Sequence, residues 1–273
     1  MENIIDNLDS IIKYSGENVS AIIKDINSQE YIYKFNSDTK LISASTIKVP
    51  IMLAILEEVR QGNISLDAEL LVKSEDVTYN TKVFENGEKR YSIYELINWM
   101  IINSDNTATN VLIRKIGMDK INSYILNELK VKSTSLQRYM LDFEAVKEGL
   151  NNYMSQEDML IIFTKLFNKK ILNDDLCEKA VNILYNQRGQ YRIMRYIYEP
   201  VKFAHKGGAL DYLGHDVGVM NINDKLYYVG ISVYDSKDKE GNNRLFGNLG
   251  REIYEYLKNI KKRGVPVYKN KGY

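Results

Sequence analysis

Ser45-Thr46-Ile47-Lys48-Val49-Pro50-Ile51-Met52-Leu53-Ala54-Ile55-Leu56 is the stretch on which the reading of this chain turns. A serine and a lysine three positions apart stand one helical turn from each other, so the amine can reach the hydroxyl. The pattern alone carries little weight, because Ser10/Lys13, Ser37/Lys40 and Ser236/Lys239 repeat it. Only the pair at 45 and 48 opens a long apolar run, which predicts a helix from Ile47 to Arg60, stopped by Gly62. At such a helix start the serine's own N–H and the helix dipole favour an oxyanion. The chain has two histidines, His205 and His215, so a Ser-His-Asp arrangement is a poor fit and a lysine-activated serine a better one.

Outward from this stretch the pattern changes character twice. Ile4, Ile5, Leu8, Ile11 and Ile12 have helical spacing. Val19 to Ile26 and Glu30 to Phe35 read as strands, joined as a hairpin by Asn27-Ser28-Gln29. A helical middle follows: Ile93 to Ile102, Thr107 to Ile116 closed by Gly117, and a capping start at Ser155-Gln156-Glu157-Asp158. Strands return at Val201–His205, His215–Asn221 and Leu226–Tyr234, with Gly207-Gly208 and Asn223-Asp224 as turn signals. Leu249 to Lys261 is a closing amphipathic helix, and the basic tail to Tyr273 reads as a solvated end rather than a binding arm. Strands at both ends of a helical middle predict an α/β domain assembled from residues 1–44 and 201–273, with an all-α domain of residues 45–200 inserted.

Composition excludes several classes. The 273 residues are 44% hydrophobic and 27% charged, which are globular values that rule out a disordered or collagenous chain. Lys and Arg number 37 against 36 Asp and Glu, so no basic excess points to nucleic acid as a partner. Cys177 is the one cysteine, so no intrachain disulfide forms, and with two histidines no zinc-ligand set is left. Polar residues interrupt every apolar run short of membrane-spanning length, so no membrane partner is expected either. The start Met1-Glu2-Asn3-Ile4-Ile5-Asp6 has neither a basic n-region nor an apolar h-region, and the expectation is a cytoplasmic protein and a monomer.

Two further motifs keep order with Ser45. Ser104-Asp105-Asn106 lies between two apolar helices and is the only Ser-x-Asn among seventeen serines. It can point polar side chains into a cleft, or it can simply cap the helix near Thr107. Lys206-Gly207-Gly208, at the end of a predicted strand, is the only Lys-Gly-Gly. Two glycines let a backbone approach a ligand closely beside a fixed positive charge, and the plainer alternative is a turn between strands.

The ordered set Ser-x-x-Lys, Ser-Asp-Asn and Lys-x-Gly resembles that of class A β-lactamases and penicillin-binding proteins. From about Val19 to Lys258 the chain is similar to the class A β-lactamase-like family of serine hydrolases. Asn103 to Asn110 is close to that family's second-motif helix, and Gly214-His215-Asp216-Val217-Gly218-Val219 resembles its core strand. The resemblance implies an α/β (α+β) fold, a mainly antiparallel sheet flanked by helices, with the active site between it and an inserted helical domain. It implies Ser45 as nucleophile, Lys48 as its proton acceptor and Ser104 as the relay to the leaving nitrogen. Asn106 would hold the substrate amide, Lys206 would attract its carboxylate beside Gly207 and Gly208, and the Ser45 and Ala209 N–H groups would form the oxyanion hole. Tyr79 matches the aromatic wall of the cleft or is an ordinary exposed tyrosine. The implied partner is a small-molecule β-lactam or related amide or ester, with no metal or organic cofactor.

The resemblance breaks in two places. Class A β-lactamases use a glutamate after the second motif to activate the hydrolytic water. Anchoring on Arg138, or counting from Ser104, puts Met140 there, and anchoring on Leu150-Asn151 gives Lys147. Asp142, Glu144 and Glu148 lie nearby and read as helix-surface acids. Gly207 also replaces the family's hydroxyl residue, and His205 before it either titrates near neutral pH or covers a sheet edge. The expected activity is acylation at Ser45 with weak or altered deacylation. The alternatives are a cytoplasmic esterase or amidase, and a penicillin-binding sensor that acylates once.

Overall fold

The computed structural model describes residues 4–79, 81–85, 87–188 and 192–263, and the tail beyond Arg263 lies outside them. Helix α1 (Ile4–Ser15) leads into β1 (Asn18–Asp25) and β2 (Tyr31–Phe35), the predicted hairpin. The short β3 (Leu41–Ile42) brings the chain to a 3₁₀ turn, Ala44–Ile47, and then to α2 (Lys48–Arg60). Pro50 sits in the first turn of α2, where its missing N–H costs no helical bond. The ribbon of β4 (Glu69–Val72) and β5 (Lys89–Ser92) precedes α3 (Ile93–Ile102), α4 (Asn106–Ile116) and α5 (Met118–Tyr124). Next come α6 (Phe143–Lys147), β6 (Tyr153–Met154, paired with β3), α7 (Gln156–Phe167) and α8 (Asp174–Tyr185). The long strands β7 (Lys202–Leu210), β8 (Leu213–Ile222) and β9 (Lys225–Tyr234) end in α9 (Lys239–Arg263).

Five strands form one antiparallel sheet in the order β2-β1-β9-β8-β7, so the first and last parts of the chain share a sheet and β7 is an edge. Both faces of that sheet are covered. Tyr227, Val229, Ile231 and Val233 pack with Leu8, Phe246 and Leu257 of α1 and α9. Tyr228, Val217 and Val219 pack with α2, α7 and α8. Burial on both faces explains why these strands read as nearly unbroken apolar runs rather than as alternation. No helix among the described residues is long and apolar enough to cross a membrane.

Three readings of the sequence need correction. Gly207 and Gly208 are not a turn: they lie within β7, opposite Asp216 and His215, and the chain reverses at Asp211-Tyr212. Neither glycine has a left-handed φ, so their smallness serves close approach rather than backbone freedom. The closing helix begins at Lys239, ten residues ahead of Leu249, and these added turns bury Asn242, Leu245 and Phe246. The segment 45–200 is not wholly helical, since it holds the β4–β5 ribbon and β6, which pairs with β3 just ahead of it. By contrast, Asn223 and Asp224 both take positive φ and make the two-residue hairpin turn expected of them.

A buried polar chain ties the strand entering the 3₁₀ turn to this sheet. His215 Nε2 donates to the Ile42 carbonyl at 2.8 Å, and its Nδ1 accepts from Ser232 Oγ at 2.7 Å. Gln156 Nε2 in turn donates to Ser232 Oγ, and Tyr228 donates to Gln156 Oε1. Burial holds the imidazole neutral by lowering its pKa from 6.5 to about 4. A group lowered in this way contributes stability above pH 6.5 that is lost as pH falls toward 4, about 3 kcal/mol in all. Denaturant unfolding at a series of pH values should show this loss, and His215→Asn, though less stable at neutral pH, should show a shallower acid slope. An equal slope in the variant would remove His215 as the cause.

Candidate active site

One local bond and one from a distant segment hold the backbone of the Ser45 turn. Ser43 N–H donates to the Asn152 carbonyl at 2.8 Å, and Thr46 Oγ1 donates back to Ser43 O at 2.7 Å. Between them Ala44 takes φ 45°, a left-handed conformation that costs a non-glycine residue roughly 1–3 kcal/mol and persists where the surroundings impose it. The neighbour that imposes it is β7. A Cβ on Gly208 would lie 3.1 Å from Ser45 N and 3.2 Å from Ala44 Cβ and Ser43 O, so a side chain there would make the serine turn give by a few tenths of an ångström. The other Ser/Lys pairs are occupied elsewhere: Ser10 donates to Asp6 O, Ser37 to Glu157, and Ser236 accepts from Asp238 N–H.

The turn between α3 and α4 settles the two readings of Ser104-Asp105-Asn106 by dividing them. Asp105 is the cap, accepting from Ala108 N–H at 2.9 Å. Its carboxylate also accepts from Thr81 Oγ1 and, at 2.7 Å, from Lys82 N–H, which anchors the preceding loop. Thr107 adds a second anchor by accepting from Thr78 N–H at 2.9 Å. Tyr79 stands on this loop and is 81% exposed. Ser104, freed from capping, adopts φ 57° and turns its hydroxyl toward two lysines.

Those lysines are fully buried. Lys48 Nζ donates at 2.7 Å to both Ser104 O and Asn106 Oδ1 and lies 3.3 Å from Ser104 Oγ. Lys206 Nζ lies 3.0 Å from the same Ser104 Oγ and donates to Gly207 O at 2.9 Å. Burial, reinforced by the charge of Lys206, holds Lys48 well below an ordinary lysine. Burial brings Lys206 down to about 7, with Asp216 opposing the shift and Arg192 adding to it. A neutral amine has two N–H donors and one lone pair. At Lys48 two carbonyl-type oxygens take both donors, so the lone pair is left to accept a proton.

Met140 is buried and its backbone is clasped by one side chain: Asn110 Oδ1 accepts Met140 N–H at 2.8 Å, and Asn110 Nδ2 donates to Met140 O at 3.1 Å. Arg138 Nε donates to Asn151 Oδ1 at 3.0 Å, closing the base of the loop. The nearby acids serve the surface, Asp142 as cap of α6 and Glu144 paired with Lys147, both on exposed ground with Lys147 and Glu148. His205 is buried on the sheet face away from the cleft, 2.6 Å from Asp216 Oδ1 and stacked on Phe203. Ala209 lies on edge strand β7, where alternate N–H groups have no strand partner. Sequence reasoning missed Asn110, although it stands four residues after Asn106 on the same helix face, and it missed Arg192 and Asp216, which carry no spacing signal at all.

A strained serine turn thus lies under an edge strand, beside two buried lysines that meet on the hydroxyl of a third segment. The sequence profile of the beta-lactamase enzyme family matches residues 2–257, and the chain belongs to that family, within its class A-like serine hydrolases. The β-lactamase VEB-1 of Pseudomonas aeruginosa is 22% identical over 281 residues, spanning 94% of this chain and 91% of its own. A β-lactamase structure from Chitinophaga pinensis superposes with a TM-score of 0.86 at 18% identity, covering 93% of this chain and 99% of its own. A mutant of PBP-A, solved as an acyl-enzyme complex with penicillin-G, superposes at 0.83 with 20% identity, over 94% of this chain and 97% of its own.

The closeness of β7 to the serine turn can be tested by a matched pair of variants. Gly208→Ala should cost roughly 1–3 kcal/mol through overpacking and should disturb the Ser45 turn. Gly207→Ala should change stability by less than about 0.5 kcal/mol, because its Cβ would meet Arg192 Nη1 and His215 O at an ordinary 3.6 Å. Equal unfolding midpoints for the two variants would show that the apposition does not constrain residue 208.

Proposed function

We propose that this chain is a serine hydrolase acylated at Ser45 by β-lactams or related amides and esters, and that it releases the acyl group slowly. The observation that carries this reading is the Ser104 hydroxyl held between Lys48 and Lys206 beside the Ser45 turn. Ser45 Oγ attacks the carbonyl carbon while its proton passes to the Lys48 lone pair. The N–H groups of Ser45 and Ala209 receive the oxyanion, and one such donor is typically worth ~10²–10³ in rate. The amide bond then breaks, and Ser104 hands its proton to the departing nitrogen and is reprotonated from Lys48. Lys206 supplies positive charge for a substrate carboxylate, and Asn106 both orients Lys48 and offers its amide N–H to the substrate.

Release needs a water held and deprotonated against the acyl ester. Met140, clasped by Asn110 and buried in the apolar core, offers only a weakly accepting thioether sulfur and no basic group. Loss of a positioned base typically costs ~10²–10⁴. The same observation favours a second reading, in which the protein binds penicillin once as a sensor and does not turn over.

Intact-protein mass followed over time with a penicillin tests both. The expected result is a single stable adduct, mapped to Ser45 and absent in Ser45→Ala. Met140→Glu should shorten the adduct's lifetime roughly tenfold or more, with little change in the rate of its formation. An adduct on another serine would end the proposal. So would a short-chain ester hydrolysed rapidly under conditions where a chromogenic cephalosporin leaves no mark on the protein.

A further inference from the structure

The two buried lysines differ in what lies behind them. Asp216 stands opposite Gly207 in the β7–β8 ladder, one position along from Lys206. Opposed residues share a sheet face and successive ones alternate. Asp216 therefore lies on the face turned toward α1 and α9, while Lys206 points into the cleft. Both oxygens of the buried Asp216 carboxylate are fixed: Oδ1 lies 2.6 Å from His205 Nδ1, and Oδ2 accepts Ile193 N–H at 3.2 Å. Arg192 is buried on the same side, its Nη1 3.4 Å from the His215 carbonyl. The acyl transfer described above uses none of these groups.

We propose that Asp216 is a positioning residue of the Ser45 site: acting through the sheet, it holds the proton for which the two lysines compete on Lys206 and so leaves Lys48 free to be the base. The groups that bear on Lys206 are Lys48 across Ser104 Oγ, Arg192 behind the strand, and Asp216. Arg192 adds to the effect of burial, and Asp216 is the carboxylate that opposes both. Lys48 has Asp105 nearby, whose charge also raises it, but burial and the charge of Lys206 outweigh that carboxylate. A charged Lys206 then works against a charge on Lys48, and the pair settles with one proton, on the side nearer Asp216. His205 and Ile193 keep the carboxylate from turning away.

The proposal rests on Ser45, Lys48, Ser104 and Lys206 forming one acyl-transfer site, yet its test needs no substrate. Protein labelled with ¹³Cε-lysine is titrated by NMR, with the two signals assigned by loss in Lys48→Gln and Lys206→Gln. In the wild type Lys206 should titrate near neutrality while Lys48 stays neutral. In Asp216→Asn the Lys206 midpoint should fall by about one pH unit or more, and that of Lys48 should rise. A purely structural role would lower the melting temperature and leave both midpoints in place, which would overturn the proposal. If Asp216→Asn does not fold, a wild-type titration in which Lys48 keeps its proton to higher pH than Lys206 overturns it equally. Unmoved midpoints in a protein that still acylates at Ser45 would sink the role of Asp216 alone. Moved midpoints without acylation would sink the reaction and leave the charge placement standing.

Discussion

Two amines buried on either side of one hydroxyl are a costly arrangement, and much of this molecule is organised around it. Lys48 and Lys206 have no exposed surface and meet at Ser104 Oγ. An isolated charge in such a place is expensive, and two like charges more so. The fold lowers the cost by holding both amines below an ordinary lysine, by giving both fixed oxygen partners, and by setting a carboxylate behind the sheet. An amine held low in this way is what the proposed attack by Ser45 draws on.

Bringing those groups together takes three segments that share no local interaction. The sheet makes this possible because its strands come from both ends of the chain, with β7 left as an edge. Gly208 lets that edge lie against the Ser43–Ser45 backbone. The chain of Tyr228, Gln156, Ser232, His215 and Ile42 pins the incoming strand to the same sheet, with a partner for each of its polar atoms. Two left-handed residues, Ala44 and Ser104, sit at the points where these supports meet. Strain of that kind survives only where packing on several sides fixes it.

The loop around Met140 separates the shape of a site from its chemistry. Asn110 and Asn152 hold its backbone by paired side-chain contacts and Asn151 accepts from the Arg138 side chain, so the loop keeps a defined course without help from the side chain of residue 140. The side chain at that position is then free to be apolar without cost to the course of the loop. Helix α4 supports both places, with Asn106 on Lys48 and Asn110 on Met140 one turn apart.

The sequence by itself determined the elements and the parts list. Apolar periodicity placed α2, α3 and α4, Asn223-Asp224 marked its hairpin, and the order of Ser45, Ser104 and Lys206 singled out one serine among seventeen. These are local signals, carried by propensity, turn chemistry and spacing. Gly207-Gly208 misled because a glycine pair looks the same whether it makes a turn or lets another backbone come close, and only the approach of Ser45 distinguishes the two. The division of labour in Ser104-Asp105-Asn106, the clasp of Asn110 on Met140 and the placement of His205 and Asp216 behind Lys206 were likewise decided by tertiary structure. Their partners lie up to about a hundred residues away in sequence, and burial, which sets the charge of each lysine, belongs to the folded chain and not to any segment of it.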